Sequence, residues 1–425
     1  MNTTIGILLL LTYFGFIYYA VKGGNIMVGY FVMAILWTVI GLVPFNVAIT
    51  AVFSKPVEAY GGTAVVIIFG SWFGRVLVET GIAEAISKKT LAIGGNKPVL
   101  AAILVCISTT FIFTSAFGVG SVIAIGVIIL PILFSLGIPK NIAVSAFTMA
   151  IGAGMYLNIV LFKQMQLFFP SVAYNSTYIK FGVAAAVVQV IVLIIMLMFN
   201  SKKIVKVKED KEVSDTAAKK VKKVPAISYI VPILPIIMTI AFKWQPIPSL
   251  LLATLLGLLL TGNFKTWNGS LEVINKTIKE SVSDIAVLLI MLFALTMFSA
   301  AAALDAQKFT TILSAIIPHT TWVIGIAIAL LAPLALFRGP LNVWGAGSAT
   351  AAILAATHIF PAMFLFPLLY IPAISMAIST CPTQSWNLWS INYSKISIKT
   401  FLKTGFGWCW ITVIINEIIA IVMFG

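Results

Sequence analysis

Apolar runs long enough to cross a bilayer recur from one end of this 425-residue chain to the other. Lipid offers no water to satisfy backbone N–H and C=O groups, so a crossing segment must be helical and needs about 17 apolar residues or more. Fourteen such segments are read along the sequence, which sets the fold class as an all-α polytopic membrane protein. Composition agrees, with 61% hydrophobic and 9% charged residues, where soluble chains carry roughly a quarter charged. The first segment, Ile5 to Tyr19, lacks the basic n-region and small-residue cleavage site of a signal peptide and is read as a membrane helix. Cys106, Cys381 and Cys409 lie in or beside apolar segments and are odd in number, which argues for packing residues rather than a disulfide framework.

The formal net charge of +15 is placed rather than spread. Nine lysines fall between residues 200 and 225 without the interleaved aromatics that would stack bases, so no nucleic-acid partner is expected. The stretch reads as a basic cytoplasmic linker beside anionic lipid. It divides the chain into a first transmembrane repeat, 1–199, and a second, 226–425. A shift of 227 lays Gly118-Val119-Gly120-Ser121 on Gly345-Ala346-Gly347-Ser348 and Gln189 on Asn416, with seven apolar segments on each side. An internal duplication follows. With the linker inside, twenty lysines fall on the cytoplasmic side and five outside, which satisfies the positive-inside rule if the second repeat is inverted and both termini face outward.

Segments 4 and 5 (about 97–116 and 117–137) and 11 and 12 (about 319–336 and 340–357) are joined by "TSAFGVGS" and "FRGPLNVWGAGS". The first joint has no charge and the second only Arg338, unlike the lysine-bearing loops. We read both pairs as re-entrant hairpins with tips near mid-depth, where irregular backbone survives only inside protein or against a water-filled cavity. Segments 6 and 13 are interrupted by "GAGMYLN" (152–158) and "STCPTQSWN" (379–387). Inverted repeats with interrupted helices mark the binding site of a secondary transporter.

"GSATAA" (347–352), "FGRVLVETGIAEAI" (73–86) and "TQSWNLWSINYSK" (383–395) make most of the chain resemble the ion transporter superfamily of organic-anion permeases, and most closely its gluconate permease branch. The resemblance implies a site at the tips and breaks: Thr114, Ser115, Ser121, Asn158, Ser348, Thr350, Thr383 and Asn387. It also implies a homodimer. The related dicarboxylate carriers have Ser-Asn-Thr at both tips, which this chain lacks.

The residues support that chemistry on their own account. Gly118, Gly120, Gly345 and Gly347 let backbone amides approach a ligand, and helix N-termini favour a carboxylate. Arg338 offers a bidentate fork for a carboxylate, against the alternative that it snorkels from a helix end. Arg75 and Glu79, four residues apart, form a structural pair or handle gating and protons. Glu417, inside a span, is a coupling candidate. Asp284 is read as a helix N-cap, and His319 and His358 as interfacial.

The expected function is symport of a small organic anion, a carboxylate such as gluconate, across the cell membrane on a proton or sodium gradient. An anion channel is the alternative, though neither a charge ring nor a repeated carbonyl filter is evident. An intramembrane hydrolase is disfavoured because "GAGS" lacks the surroundings of a nucleophile elbow. The chain is therefore read as no enzyme, with no cofactor or metal site beyond its coupling ion, and it contains no phosphate-cradling GxxxxGK[ST].

Overall fold

A computed structural model describes residues 2–94, 97–204 and 224–425, and every regular element among them is helical. The linker expected at 200–225 therefore lies outside the described residues except at its two ends. In chain order the helices are α1 (Asn2–Val21), α2 (Ile26–Ile40), α3 (Phe45–Glu79), α4 (Ile82–Gly94), α5 (Pro98–Phe113), α6 (Val119–Ser135), α7 (Lys140–Met155), α8 (Ile159–Met165) and α9 (Ser176–Phe199). After the linker come α10 (Ala226–Ala241), α11 (Pro246–Leu260), α12 (Trp267–Ile316), α13 (Thr321–Leu331), α14 (Gly347–Thr357), α15 (Ala362–Ile378), α16 (Ser385–Ser394) and α17 (Ile398–Phe424).

Among the described residues six helical units are long and apolar enough to cross a bilayer, and a seventh is the pair α7 and α8, bent by 72° at its break. Their outward faces carry large apolar side chains such as Phe14, Val287, Leu330 and Val422. Water would penalise those faces and lipid does not. The chain is a multi-pass membrane protein. Where polar residues interrupt the apolar runs they act as punctuation: the Asn25 side chain accepts from Val28 N at the start of α2, and Asn175 caps α9 through Thr177 N and Tyr178 N.

Several helices fall short of a full crossing. At 1.5 Å per residue the 11 residues of α14 reach about 16 Å, half of a roughly 30 Å core. α13 runs into a 3-10 turn, Ala332–Arg338, where Leu336 and Phe337 leave helical geometry. In α15, Pro372 lacks an amide hydrogen and the helix widens into the π-turn Ala373–Ile378 just before its break. Shifting the first nine helices by 227 residues brings α1 onto α10, α2 onto α11, α5 onto α13, α6 onto α14, α7 onto α15, α8 onto α16 and α9 onto α17.

Asp284 does not cap a helix. α12 runs unbroken through it for 50 residues, about 75 Å. The stretch "KESVSD" contains neither glycine nor proline, and its acidic residues find partners on α3, so the helix continues past the polar turn. α12 packs along α1, α2 and α3, while α17 packs on α7, α9, α13 and α15. Two groups of helices result, each drawn from both halves of the chain. They meet where α6 and α8 rest on α3 and where α14 rests on α12.

One buried ion pair fixes that first group. Asp305 is fully buried, Lys308 Nζ lies 2.6 Å from its Oδ1, and Lys308 also donates to the carbonyl of Gly41 at the C-terminal end of α2. The lysine thereby meets both an anion and the exposed carbonyls of a helix end.

Candidate functional site

The tip between α5 and α6 is closed to solvent. Thr114, Ser115, Ala116, Phe117 and Gly118 are all buried, unlike a water-exposed turn. Asn158 is what holds it. Its side-chain amide donates to Phe113 O and Ala116 O, both at 3.0 Å, while its Oδ1 accepts from Val160 N and Leu161 N and so caps α8. Every hydrogen-bonding capacity of this fully buried side chain is spent on joining the first break to the first tip. Thr114 Oγ1 likewise donates to Phe111 O at 2.7 Å. Ser115 Oγ and Ser121 Oγ, both buried, have no hydrogen-bond partner among the described residues.

Gly118 has φ +99°, a left-handed value that glycine adopts without strain, and it leads into α6 without a side-chain cap. Two residues on, a Cβ at Gly120 would collide with Arg75 Nη2 and Asp284 Oδ2. An ion pair therefore sits against the first turn of α6. Arg75 donates from Nε to Asp284 Oδ2 at 2.6 Å and from Nη2 to Oδ1 at 2.7 Å, and Glu280 lies 3.3 Å from Nη1. Glu79 instead pairs with Lys276 at 2.8 Å and acts on Arg75 only through longer-range attraction. The four-residue spacing that suggests an Arg75–Glu79 pair is overridden by the bidentate fit to α12.

The second tip is built differently. Phe337 and Arg338 both take left-handed backbone values, φ 52° and 62°. The Arg338 carbonyl accepts from Ala346 N at 2.8 Å, folding residues 338–346 into a closed turn around Gly345. The Arg338 side chain is half-buried and makes no hydrogen bond or ion pair among the described residues. Tyr30 donates to Gly345 O at 2.7 Å. Thr350 Oγ1 spends its hydrogen on Pro340 O at 2.6 Å, so the Tyr13 hydroxyl, also at 2.6 Å, is the donor to Thr350. Ser348 Oγ donates to Val343 O, and Gly347 N to Asn342 O. Thr350 and Ser348 thus hold the tip together.

At the second break, Asn387 donates to Ile378 O and Cys381 O, each at 2.9 Å, and leaves its buried Oδ1 without a partner. Thr380 Oγ1, also buried, is unpartnered too. Thr383 Oγ1 lies 3.1 Å from Cys381 Sγ, and that sulfur accepts from Phe337 N at 3.2 Å. Each tip therefore touches the break of its own half. Contacts also cross between halves: Trp344 of the second tip donates to Gln164 of α8 at 3.1 Å, and Trp389 of α16 lies against Gly126 of α6.

Sequence reasoning misses several of these parts. Gln164 is buried with an unpartnered Nε2, and its one signal is an amide in an apolar segment just past a break. Tyr156 gives no signal, yet it is central. Asn416 donates to Tyr156 Oη at 3.1 Å, Tyr156 to Ser375 at 2.7 Å, Ser375 to Gln189 Oε1 at 2.7 Å, and Gln189 to Ser379 at 3.0 Å. Gln189 and Asn416, paired by the 227-residue shift, end up in one network. His319 and His358 are exposed, and His358 lines a cavity of about 530 Å³ with Gln307, Thr310 and Thr357, away from the tips and breaks. All three cysteines are free and buried. Among the described residues, no group of three or more His, Cys, Asp or Glu side chains is placed to hold a metal.

No family model matches the chain, and no curated protein does. Among solved structures 17 chains match. The crystal structure of the YdaH transporter of Alcanivorax borkumensis, described as revealing an unusual topology, superposes with a TM-score of 0.60 over 94% of this chain and 98% of that one, at 12% identity. At that identity the likeness is one of fold. The chain has the fold of a polytopic membrane transporter.

Proposed function

We propose that this protein is a secondary active transporter that moves a small organic anion, a carboxylate such as gluconate, by alternating access between two inverted repeats. The observation that carries the reading is a set of buried polar atoms with no hydrogen-bond partner among the described residues, Ser115 Oγ and Ser121 Oγ at the first tip and Thr380 Oγ1 and Asn387 Oδ1 at the second break. Each buried unsatisfied group costs about 1–3 kcal/mol, and these four lie at two of the chain's interruptions, where a ligand would satisfy them. The starts of α6 and α16 also lack side-chain caps, which leaves N–H groups for an anion. Arg338 is the cation we assign to the carboxylate. Asn158 and Thr350 support the site without contacting the substrate.

On this reading the two short hairpins are re-entrant, the protein resides in the plasma membrane as a homodimer with each protomer carrying its own site, and the basic linker and both termini take the expected sides. A proton or sodium gradient drives uptake against an inside-negative potential. The test is uptake of labelled gluconate, citrate, succinate and lactate into proteoliposomes under imposed proton and sodium gradients. Saturable accumulation that needs one gradient supports the symporter. Non-saturating flux that follows the membrane potential would replace it with the channel.

A further inference from the structure

Glu417 is the buried charge that the site does not use. It lies inside α17 at 0% exposure, and neither carboxylate oxygen has a hydrogen-bond partner or an ion pair among the described residues. Asp305, equally buried, has Lys308 at 2.6 Å, and the contrast is informative. An ionised carboxylate held in the protein interior without a partner costs several kcal/mol, which no packing around it returns. The neutral acid avoids that cost.

Among the described residues the surroundings offer no counter-ion. Among the helices packed on α17, α7 ends at Tyr156 and carries its only charge, Lys140, at the opposite end. α9 contributes buried Tyr178 and exposed Lys180, α15 contributes Tyr370, α13 has no titratable residue, and Arg338 ends the 3-10 turn beyond it. On α17 itself the titratable residues are Lys399, Lys403 and Cys409. Tyr156 lies within electrostatic reach of Glu417, and it is a hydroxyl rather than a cation.

The residue beside Glu417 is mechanically connected to both breaks. Asn416 is bonded to Tyr156 at the first break and to Ala185 O of α9, and Tyr156 is bonded to Ser375 in the π-turn that leads to the second break. Any rearrangement of the two breaks pulls on this seam. We propose that Glu417 is a proton-binding site, occupied in this conformation, whose proton is released when the seam between α17 and Tyr156 opens to water. A state that hydrates Glu417 favours its anion, and by linkage a proton on Glu417 favours the closed seam. That second step rests on the transporter reading and makes the coupling ion a proton.

Two measurements separate the parts. Infrared difference spectroscopy of the purified protein should show the C=O stretch of a protonated carboxyl at neutral pH, absent in Glu417→Gln and shifted in Glu417→Asp. A spectrum identical in wild type and Glu417→Gln overturns the proton site, whatever the protein transports. If Glu417→Gln does not fold, the shift in Glu417→Asp decides the same question. In proteoliposomes, with whichever of gluconate, citrate, succinate or lactate the wild type accumulates, Glu417→Gln should abolish accumulation driven by a proton gradient while exchange of labelled for unlabelled anion continues. Retained proton-driven accumulation would reduce Glu417 to a structural acid. A wild type that accumulates none of the four, with the infrared band present, would refute the carboxylate reading and leave the proton site standing.

Discussion

Replacing Asn158 should loosen the first tip by an amount that can be worked out from its four bonds. Two donor bonds to Phe113 O and Ala116 O hold the tip, and two acceptor bonds from Val160 N and Leu161 N cap α8. At about 1 kcal/mol net each, Asn158→Ala removes roughly 4 kcal/mol, and full burial leaves no water to replace the bonds. Asn158→Ser keeps a good cap, worth about 1 kcal/mol, but cannot reach the tip carbonyls, so it should cost roughly 3 kcal/mol. An unfolding entropy of roughly 2.1 cal/mol/K per residue over 425 residues turns these into drops of at least about 4 and 3 °C, and more if helices persist in the unfolded state. The protein carries its own reporter. Cys106, Cys381 and Cys409 are free and buried, so a thiol-reactive dye brightens only as the structure opens. An Asn158→Ala protein that melts within about one degree of wild type would refute the claim that this side chain latches the tip.

Three further outcomes follow from the same contacts. Arg338→Lys should depress anion uptake markedly with normal expression and gel-filtration behaviour, since an ammonium lacks the planar two-point fork; unchanged uptake removes Arg338 from the site. Arg75→Ala and Asp284→Ala should each impair transport, and the exchange Arg75→Asp with Asp284→Arg should recover part of it, because the pair rather than either charge braces the start of α6; no recovery in the exchanged protein contradicts this. Lys308→Met leaves Asp305 buried and unpaired and should cost roughly 3–5 kcal/mol in a thermal melt. Adding Asp305→Asn should return most of that loss, and an undiminished deficit in the double variant would show that the lysine acts through Gly41 alone.

Much of this protein is legible in one dimension because bilayer insertion is a local test. A run such as α9 or α17 is predominantly apolar over a bilayer's width, and lipid demands that its backbone bond to itself, so hydropathy alone identifies it. The breaks are legible for the complementary reason: "GAGMYLN" and "STCPTQSWN" place glycine, proline and amides where an uninterrupted span would have none. Partner choice is where local reading ends. Arg75 meets Asp284 across 209 positions of sequence rather than Glu79 four residues away, because a bidentate fit to a neighbouring helix outcompetes a single bond along its own. Nothing beside Asn158 in sequence says that both its donors go to the tip carbonyls of Phe113 and Ala116. That Lys308 meets the carbonyl end of α2 is likewise not written in its neighbours. Hydropathy and helix-breaking chemistry act over a single turn or span and are written in the order of residues. Which buried donor finds which acceptor depends on how helices from both halves pack, and only the tertiary structure decides that.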